Sequence, residues 1–402
     1  MKKNETKVLM SWPTWPAFTK KEVRAVSKVV KSNQLFAAEE VKEFENNFSQ
    51  YLGSKHGVGI GNATQGLHLA LSALNVGEGD EVIVTNCSWI SSASCILMQN
   101  AIPIFVDIEP HTFGLDPELL ESAITFRTKA IIAVHILGYP AQIEKIKTIA
   151  VKYGLPVIED ASHAPGAELN GKKLGTFGDI GVFSLQQRKA ISTGDGGIAV
   201  TDNAQLAEVM RKQRSFGDSQ LSYNYRMSEF AAVLGQIGLG KLDAENSHRE
   251  KCALFLYNYF KNENWIKIRI SKPFHKGVYY AVAIDLNISN EKSIEIVRYF
   301  SELKVPLKKL FGPLNLHPHF SNFPIPARGL PWLSANYTGV MKNLNYKDLL
   351  FPVTSEYCNG RILELYTHPG TTENHLEKFA SSLTEIYKKV STKNQRELWK
   401  NS

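Results

Sequence analysis

Lys189 is the residue of this chain whose setting most favours covalent chemistry. It follows the apolar run Gly181–Phe183 and precedes the turn Gly194-Asp195-Gly196-Gly197. A lysine beside a buried strand loses solvation, which lowers the pKa of its ammonium and yields the neutral amine that attacks carbonyl carbons. Most lysines near loops are simply solvated, but the glycines indicate a backbone held close to another group. The pattern therefore predicts a Schiff-base lysine.

A carboxylate and a histidine follow a second apolar run. In Val157-Ile158-Glu159-Asp160-Ala161-Ser162-His163, Asp160 ends the run and His163 comes three residues later. Ligands of open α/β sheets bind at the carboxyl ends of strands, so Asp160 is expected to face a ligand. Two alternatives remain open, because Asp160 could cap a following helix and His163 could be an ordinary half-buried histidine.

A helix start and an aromatic ring supply two further groups. The segment Gly61–Gly66 places small polar residues before an apolar helix face, where free N–H groups and the helix dipole attract phosphate. Trp89 follows the run Glu81–Val84 and could stack on a heteroaromatic cofactor. An ordinary N-capped helix and a core tryptophan are the alternatives. The glycine fingerprints of nucleotide-binding loops are absent.

Taken in chain order, these groups are those of a pyridoxal phosphate (PLP) site. Enzymes that use this cofactor combine a Schiff-base lysine with a carboxylate partner for the pyridinium nitrogen. The four cysteines are scattered, without histidines at metal-ligand spacing, so no metal is expected.

The elements that must position these groups alternate along the chain. From about residue 80 to 202, short apolar runs alternate with amphipathic stretches, which is typical of parallel strands joined by crossover helices. We expect an α/β fold with a large domain over residues 1–250 and a smaller domain over residues 251–402. The proline-rich segment Phe311–Trp332 is predicted to be a long irregular loop.

Composition limits the other classes of function. The 402 residues include 43% apolar and 21% charged side chains, as in ordinary globular proteins. The net charge of +7 is spread rather than gathered in a stripe, so no nucleic-acid partner is expected. No apolar run is long enough for a membrane helix, and no secretory signal follows Met1. We therefore expect no membrane association and a cytoplasmic location.

The sequence also resembles the DegT/StrS-type sugar aminotransferases, which have the aspartate aminotransferase fold. The resemblance runs from about Trp12 to Pro369, and its most specific segments are Asn62-Ala63-Thr64-Gln65, Val157–Ala164, Gly178–Ser184, Lys189 before Gly194–Gly197, and Tyr223–Glu229. It implies PLP fold type I, in which a seven-stranded, mostly parallel sheet lies between helices before about residue 250. A smaller C-terminal α/β domain follows.

The resemblance also implies a role for each matching residue. Lys189 would form the Schiff base, Asp160 would pair with the pyridine nitrogen, and His163 would contact the ring hydroxyl. Cofactor binding would further involve the helix start and several other positions: Ala63, Thr64, Gln65, Trp89, Ser184 and Asn224. Because Asn224 would reach the phosphate of the other subunit, a homodimer with shared active sites is expected.

The implied activity is transamination from L-glutamate or L-glutamine. The acceptor would be a nucleotide-linked or phosphorylated ketosugar, or a ketocyclitol, in the biosynthesis of an amino sugar for an antibiotic or a surface polysaccharide. The opening Trp12–Pro16 and the segment Gln186–Lys189 look most like the branch that aminates ketocyclitols. Arg188 stands where the family usually has a small residue, which could alter substrate choice.

The sequence disfavours three other activities. A sugar dehydratase of the same fold is disfavoured, because relatives with that activity carry histidine where this chain has Lys189. A non-catalytic PLP-binding sensor or regulator is disfavoured by the complete set of Lys189, Asp160 and His163. A nicotinamide dehydrogenase lacks its glycine fingerprint here.

Acceptor contacts are expected from the loop Phe311–Trp332. His317, His319 and Arg328 are its candidates for binding hydroxyl or phosphate groups. A loop made rigid by proline for packing alone is the alternative.

Overall fold

The computed structural model of the chain describes residues 11–36, 38–216, 222–320, 330–343 and 345–392. Its helices α1 to α12 are Lys20–Ser32, Glu39–Leu52, Ala63–Ala73, Ser91–Met98, Pro117–Ala123, Ile143–Lys152, Ala204–Gln213, Glu229–Leu239, Leu242–Phe260, Asn290–Glu302, Pro352–Glu356 and Glu373–Thr392. Its strands β1 to β14 are His56–Ile60, Glu81–Thr85, Ile102–Val106, Thr128–Val134, Val157–Asp160, Glu168–Leu169, Lys172–Lys173, Ile180–Ser184, Gly197–Thr201, Ile266–Ile268, His275–Lys276, Val282–Leu286, Leu307–Lys309 and Ile362–Leu365.

The largest sheet has seven strands in the order β1-β9-β8-β5-β4-β2-β3. Strands β2, β3, β4, β5 and β8 pair in parallel, whereas β9 is antiparallel to both of its neighbours. Strands β2, β3, β5, β8 and β9 are buried along their whole length, as strands covered on both faces tend to be. The predicted α/β fold with a seven-stranded, mostly parallel sheet is confirmed.

The direction of these strands brings the predicted site residues to one edge. Because β1, β2, β5 and β8 run the same way, their carboxyl ends meet at that edge. Asp160 ends β5 and Ser184 ends β8, while the loop after β2 carries Trp89. Helix α3 begins three residues after β1 ends. The fold therefore gathers segments that are more than 100 residues apart in sequence.

Two glycines let helix α3 and the end of the sheet approach each other closely. A Cβ at Gly197, the first residue of β9, would lie 2.8 Å from the carbonyl carbon of Asn62 and 2.9 Å from the nitrogen of Ala63. A Cβ at Gly66 would lie 2.8 Å from Cγ1 of Val182 and would also overlap Ile60. Both positions need glycine because the start of α3 lies directly on the sheet.

A second, antiparallel sheet lies later in the chain, in the order β10-β12-β14-β13. Helices α10 and α12 pack on one another, and α12 also contacts α9. Residue 250 falls inside α9, so the helix continues across the predicted domain boundary, and the division at that residue stays a prediction. Among the described residues, no helix is both long and apolar enough to span a membrane.

Candidate active site

A cavity of about 950 Å³ opens at the carboxyl edge of the large sheet. One wall holds most of the residues predicted to bind a cofactor: Ala63, Thr64, Gln65, Trp89, Asp160, His163, Ser184 and Lys189. The facing wall comes mainly from the second half of the chain: Tyr280, Lys308, Lys309, Phe311, Glu364 and Tyr366. The two parts of the chain therefore enclose one site between them.

The start of α3 forms the anion-receptive end of this cavity. Asn62 caps the helix, since its Oδ1 accepts a hydrogen bond from the Gln65 backbone N–H over 3.0 Å. The N–H groups of Ala63 and Thr64 belong to the first turn and cannot be satisfied inside the helix. Ser184 also lines the cavity, and its hydroxyl accepts only a long 3.3 Å bond from the N–H of Gln186. These donors suit a phosphate group.

Asp160 is a buried carboxylate held by two donors. The hydroxyl of Ser92 donates to Oδ2 over 2.7 Å, and the backbone N–H of Ser162 donates to Oδ1 over 3.2 Å. Ser92 is itself fully buried in α4 and shares a 2.7 Å hydroxyl contact with Ser88. The carboxylate is therefore fixed in orientation at the edge of the sheet, where it can pair with a cationic ring nitrogen.

His163 is fixed in one neutral tautomer. Its Nδ1 accepts a 3.3 Å hydrogen bond from the backbone N–H of Leu137, so the proton lies on Nε2. Burial lowers the pKa of His163 well below its usual value, and the positive charge of Lys189 lowers it further. A neutral imidazole with a proton on Nε2 can donate a hydrogen bond to an oxygen atom of a ligand.

Lys189 is half-buried, and its ammonium is destabilised by its surroundings. Burial lowers the pKa of Lys189 to about 8, although Asp160 and Glu364 oppose the shift by attraction. The Nζ atom lies 4.9 Å from the ring centroid of Tyr280. The Lys189 carbonyl accepts a 3.0 Å hydrogen bond from Nε1 of Trp15, so the N-terminal segment helps to fix this loop. A substantial neutral fraction of the amine exists near pH 8.

The structure does not bring every predicted residue to this cavity. Trp89 lines it, but its side chain is 61% exposed and stands at the opening. Asn224 is exposed on the surface, outside the cavity of its own chain. His317 and His319 pack against each other, with ring centroids 4.5 Å apart, and neither lines the cavity. Arg328 lies outside the described residues.

The facing wall contains residues that sequence reasoning missed. Tyr280 precedes β12, Glu364 lies on β14, and Tyr366 follows two residues later, so Glu364 and Tyr366 share one face of the extended chain. Burial raises the pKa of Glu364 to about 7. The sequence signal for Glu364 is that it is a single charged residue inside the apolar run Ile362–Leu365. This signal does not show which residues lie across the cavity from it.

The donor set fits PLP. Free N–H groups at a helix start match its phosphate, the Asp160 carboxylate matches a protonated ring nitrogen, and Lys189 provides an amine of lowered pKa. Within the described ranges, no group of three histidine, cysteine or acidic side chains is placed to hold a metal ion.

The fold and this site define a PLP-dependent aminotransferase of fold type I. The chain belongs to the DegT/DnrJ/EryC1/StrS aminotransferase family, whose model matches residues 16–384. Membership of this family confirms the predicted resemblance.

Related proteins agree with this assignment. The chain is 33% identical over 338 residues to L-glutamine:2-deoxy-scyllo-inosose aminotransferase of Streptomyces kanamyceticus, covering 76% of this chain and 79% of the relative. It is 32% identical over 360 residues to GDP-perosamine synthase of Caulobacter vibrioides, covering 86% and 90% respectively. The X-ray structure of an aminotransferase from Psychrobacter cryohalolentis matches with a TM-score of 0.85 and 27% identity, covering 95% of this chain and 100% of that chain.

Proposed function

We propose that this protein transfers an amino group from L-glutamate or L-glutamine to the carbonyl carbon of a ketosugar or a ketocyclitol. The observation that carries the proposal is the meeting of Lys189, Asp160 and His163 in one cavity with a phosphate-receptive helix start. Relatives named for an inosose and for GDP-perosamine support a polyhydroxylated ring as the acceptor.

The residues of the large-sheet wall would hold PLP. Ala63, Thr64 and Ser184 would bind its phosphate, with Gln65 beside them in the first turn of α3. Asp160 would pair with the ring nitrogen, and the Nε2 proton of His163 would face the ring hydroxyl. Trp89 would cover the ring from the open side of the cavity. When bound, PLP supplies an electrophilic carbonyl and a ring that accepts electrons.

Lys189 would act twice in this site. Its neutral Nζ, which the lowered pKa favours, would hold the cofactor covalently. With an amino donor in the site, the same Nζ would take a proton from the α-carbon of the donor and return one to the neighbouring reacting carbon. A neutral amine would be required for the first transfer, and burial of Lys189, whose Nζ lies 4.9 Å from the centroid of the Tyr280 ring, favours it. The second substrate, the ketone, would be aminated by the reverse sequence of proton transfers.

A homodimer would complete the site. Asn224, which would reach the cofactor phosphate of the partner subunit, is exposed in a segment beside two exposed aromatic rings. Phe36 is 66% exposed and Phe216 is 61% exposed. The guanidinium of Arg226 lies 5.4 Å and 4.7 Å from their respective ring centroids. A cluster of exposed aromatic rings is typical of a surface that meets another protein.

Product analysis of the complete reaction tests the proposed function. Purified protein with PLP is incubated with L-glutamate or L-glutamine and with scyllo-inosose or a nucleotide-linked 4-ketosugar. We expect the keto acid of one donor and the amine of one acceptor to appear in equal amounts. A donor that reacts without any amine product from either class of ketone would contradict the proposed acceptors.

A further inference from the structure

Glu364 is a charged residue of the cavity wall that the proposed cofactor contacts do not use. It lies on β14 and is only 3% exposed. The hydroxyl of Tyr366 donates to its Oε1 over 2.9 Å. Its Oε2 is buried and has no hydrogen-bond partner among the described residues. A buried carboxylate oxygen without a donor costs free energy, so it calls for an explanation, and a ligand that donates a hydrogen bond is one.

The cations near Glu364 do not satisfy this oxygen. Lys308 is the register partner of Glu364 on β13, yet its Nζ lies over the ring of Tyr366, 5.9 Å from the centroid. Within the part of the chain that the structure describes, neither Lys308 nor Lys189 forms an ion pair with Glu364. Both attract it only through space, and burial outweighs them and raises the pKa of Glu364. The carboxyl group therefore retains capacity for a further hydrogen bond.

We propose that Glu364 recognises the acceptor, and that its Oε2 forms a hydrogen bond with a hydroxyl of a neutral polyhydroxylated ring beside the reacting carbonyl. This inference rests on the proposed function, and it assigns a residue that selects the second substrate. Glu364 lines the same cavity as Lys189, and the two side chains interact electrostatically. A ring whose carbonyl reacts beside Lys189 would therefore place its neighbouring hydroxyls near Glu364.

A hydroxyl suits Glu364 better than the groups of an amino acid. A hydroxyl both donates and accepts, so it can pair with the carboxylate and with its protonated form. The α-ammonium of an amino donor can only donate, and it brings an α-carboxylate that a second carboxylate would repel. Anionic groups have other partners in the cavity, because Lys308, Lys309 and Arg188 also line it.

The test separates the two half-reactions by absorbance, with each followed alone. The donor half-reaction uses L-glutamine or L-glutamate, and the acceptor half-reaction uses scyllo-inosose and UDP-4-keto-6-deoxyglucose as probes. For Glu364→Met we expect kcat/KM for the better acceptor to fall by about tenfold to a hundredfold, mainly through KM, as loss of one hydrogen bond to a charged group predicts. This loss should exceed any change in the donor half-reaction by at least about tenfold.

The conservative variant distinguishes recognition from support of the fold. The amide of Glu364→Gln can still donate to or accept from a hydroxyl, so it should recover a measurable part of the loss. If Glu364→Met does not fold, Glu364→Ala replaces it, and added acetate should then restore acceptor turnover in the emptied position.

Two results would overturn only this inference about Glu364. Equal losses in both half-reactions would mean that Glu364 only supports the fold. A Lys308→Met variant with the same selective loss as Glu364→Met would mean that the carboxylate serves Lys308 instead of the substrate. A wild-type protein that completes the donor half-reaction but aminates neither ketone would overturn it and also contradict the acceptors of the proposed function, whereas failure of the donor half-reaction would contradict the proposed transamination as a whole.

Discussion

The imidazole of His163 stacks on the phenol ring of Tyr280, with ring centroids 4.3 Å apart and only 6° between the planes. The Nζ atom of Lys189 lies 4.9 Å from the centroid of the same phenol ring. One aromatic side chain from the second half of the chain thus covers two proposed catalytic residues of the large sheet. This contact removes water from Lys189 and contributes to the lowered pKa of its amine.

Replacing Tyr280 by alanine should raise the pKa of Lys189. Loss of the ring would admit water, so the ammonium would be better solvated and Asp160 and Glu364 would still attract it. The rate at which apoprotein forms its Schiff base with PLP, measured from pH 6 to 10, should have a midpoint near pH 8 in the wild type and a higher midpoint in Tyr280→Ala. Tyr280→Phe is the matched control and should keep the wild-type midpoint. An unchanged midpoint in Tyr280→Ala would show that the ring does not desolvate the amine.

Lys189→Met should stabilise the apoprotein at neutral pH. Burial lowers the pKa of Lys189 to about 8 from its usual value of 10.5, so the folded protein binds this proton less tightly than the unfolded chain. The buried ammonium therefore destabilises the folded protein by its full amount below pH 8, and this destabilisation disappears as the pH rises towards 10.5. At pH 7 the variant should gain up to about 3 kcal/mol in free energy of unfolding, since one pKa unit corresponds to about 1.4 kcal/mol.

Thermal unfolding of both apoproteins at pH 7 and pH 10 measures this difference. The Tm advantage of Lys189→Met should be large at pH 7 and small at pH 10. An equal Tm advantage at both pH values would indicate that the substitution acts through packing and not through removal of a buried charge.

Ser92→Ala should weaken the hold on PLP. The variant removes the 2.7 Å donor to Oδ2 of Asp160 and leaves a buried carboxylate oxygen short of a partner, at a cost of about 1–3 kcal/mol. Ser88→Ala is the control, because it removes the contact between Ser88 and Ser92 and leaves the hydrogen bond from Ser92 to Asp160. The dissociation constant of PLP, measured by fluorescence titration, should rise more in Ser92→Ala than in Ser88→Ala. Equal effects would mean that the orientation of Asp160 does not depend on Ser92.

Glutamate at both Phe36 and Phe216 should weaken a homodimer. The two rings are exposed and flank Arg226 beside the segment that holds Asn224, so charges there would disturb an apolar contact between subunits. Sedimentation analysis should show a dimer in the wild type and a larger monomer fraction in Phe36→Glu/Phe216→Glu. The control Val151→Glu changes an exposed apolar residue on α6, away from this cluster. A wild-type monomer would contradict the shared site.

Much of the large sheet could be predicted from sequence, because its strands are compact apolar runs separated by amphipathic helices. Strand β1 was missed since its sequence, His56-Gly57-Val58-Gly59-Ile60, contains two glycines, which weaken the strand pattern. The structure explains Gly57, because a Cβ there would overlap the backbone carbonyl oxygen of Glu45 and lie 3.0 Å from its carbonyl carbon. Helix α9 spans residue 250, so the chain has no irregular segment at the position predicted as the domain boundary.

The residues proposed to bind the cofactor could be predicted from sequence because they follow strand ends or begin a helix. At such positions the place of a residue along the chain determines its place in the fold. The facing wall could not be predicted in this way, since Tyr280 and Glu364 reach the cavity only through the packing of a second sheet. His317 and His319 were predicted to contact the acceptor only because they lie in the proline-rich segment. Of the described part of that segment, Phe311 is the residue that lines the cavity.

Borohydride reduction of the holoprotein, followed by peptide mass mapping, tests the central claim that Lys189 carries the cofactor. We expect a single pyridoxyl group on the peptide that contains Lys189. We also expect loss of this label when L-glutamate or L-glutamine is added before the reductant, because the amino donor would displace Lys189. A label on another lysine of the cavity, such as Lys308, or no label at all in a protein that binds PLP, would contradict the assignment of the site.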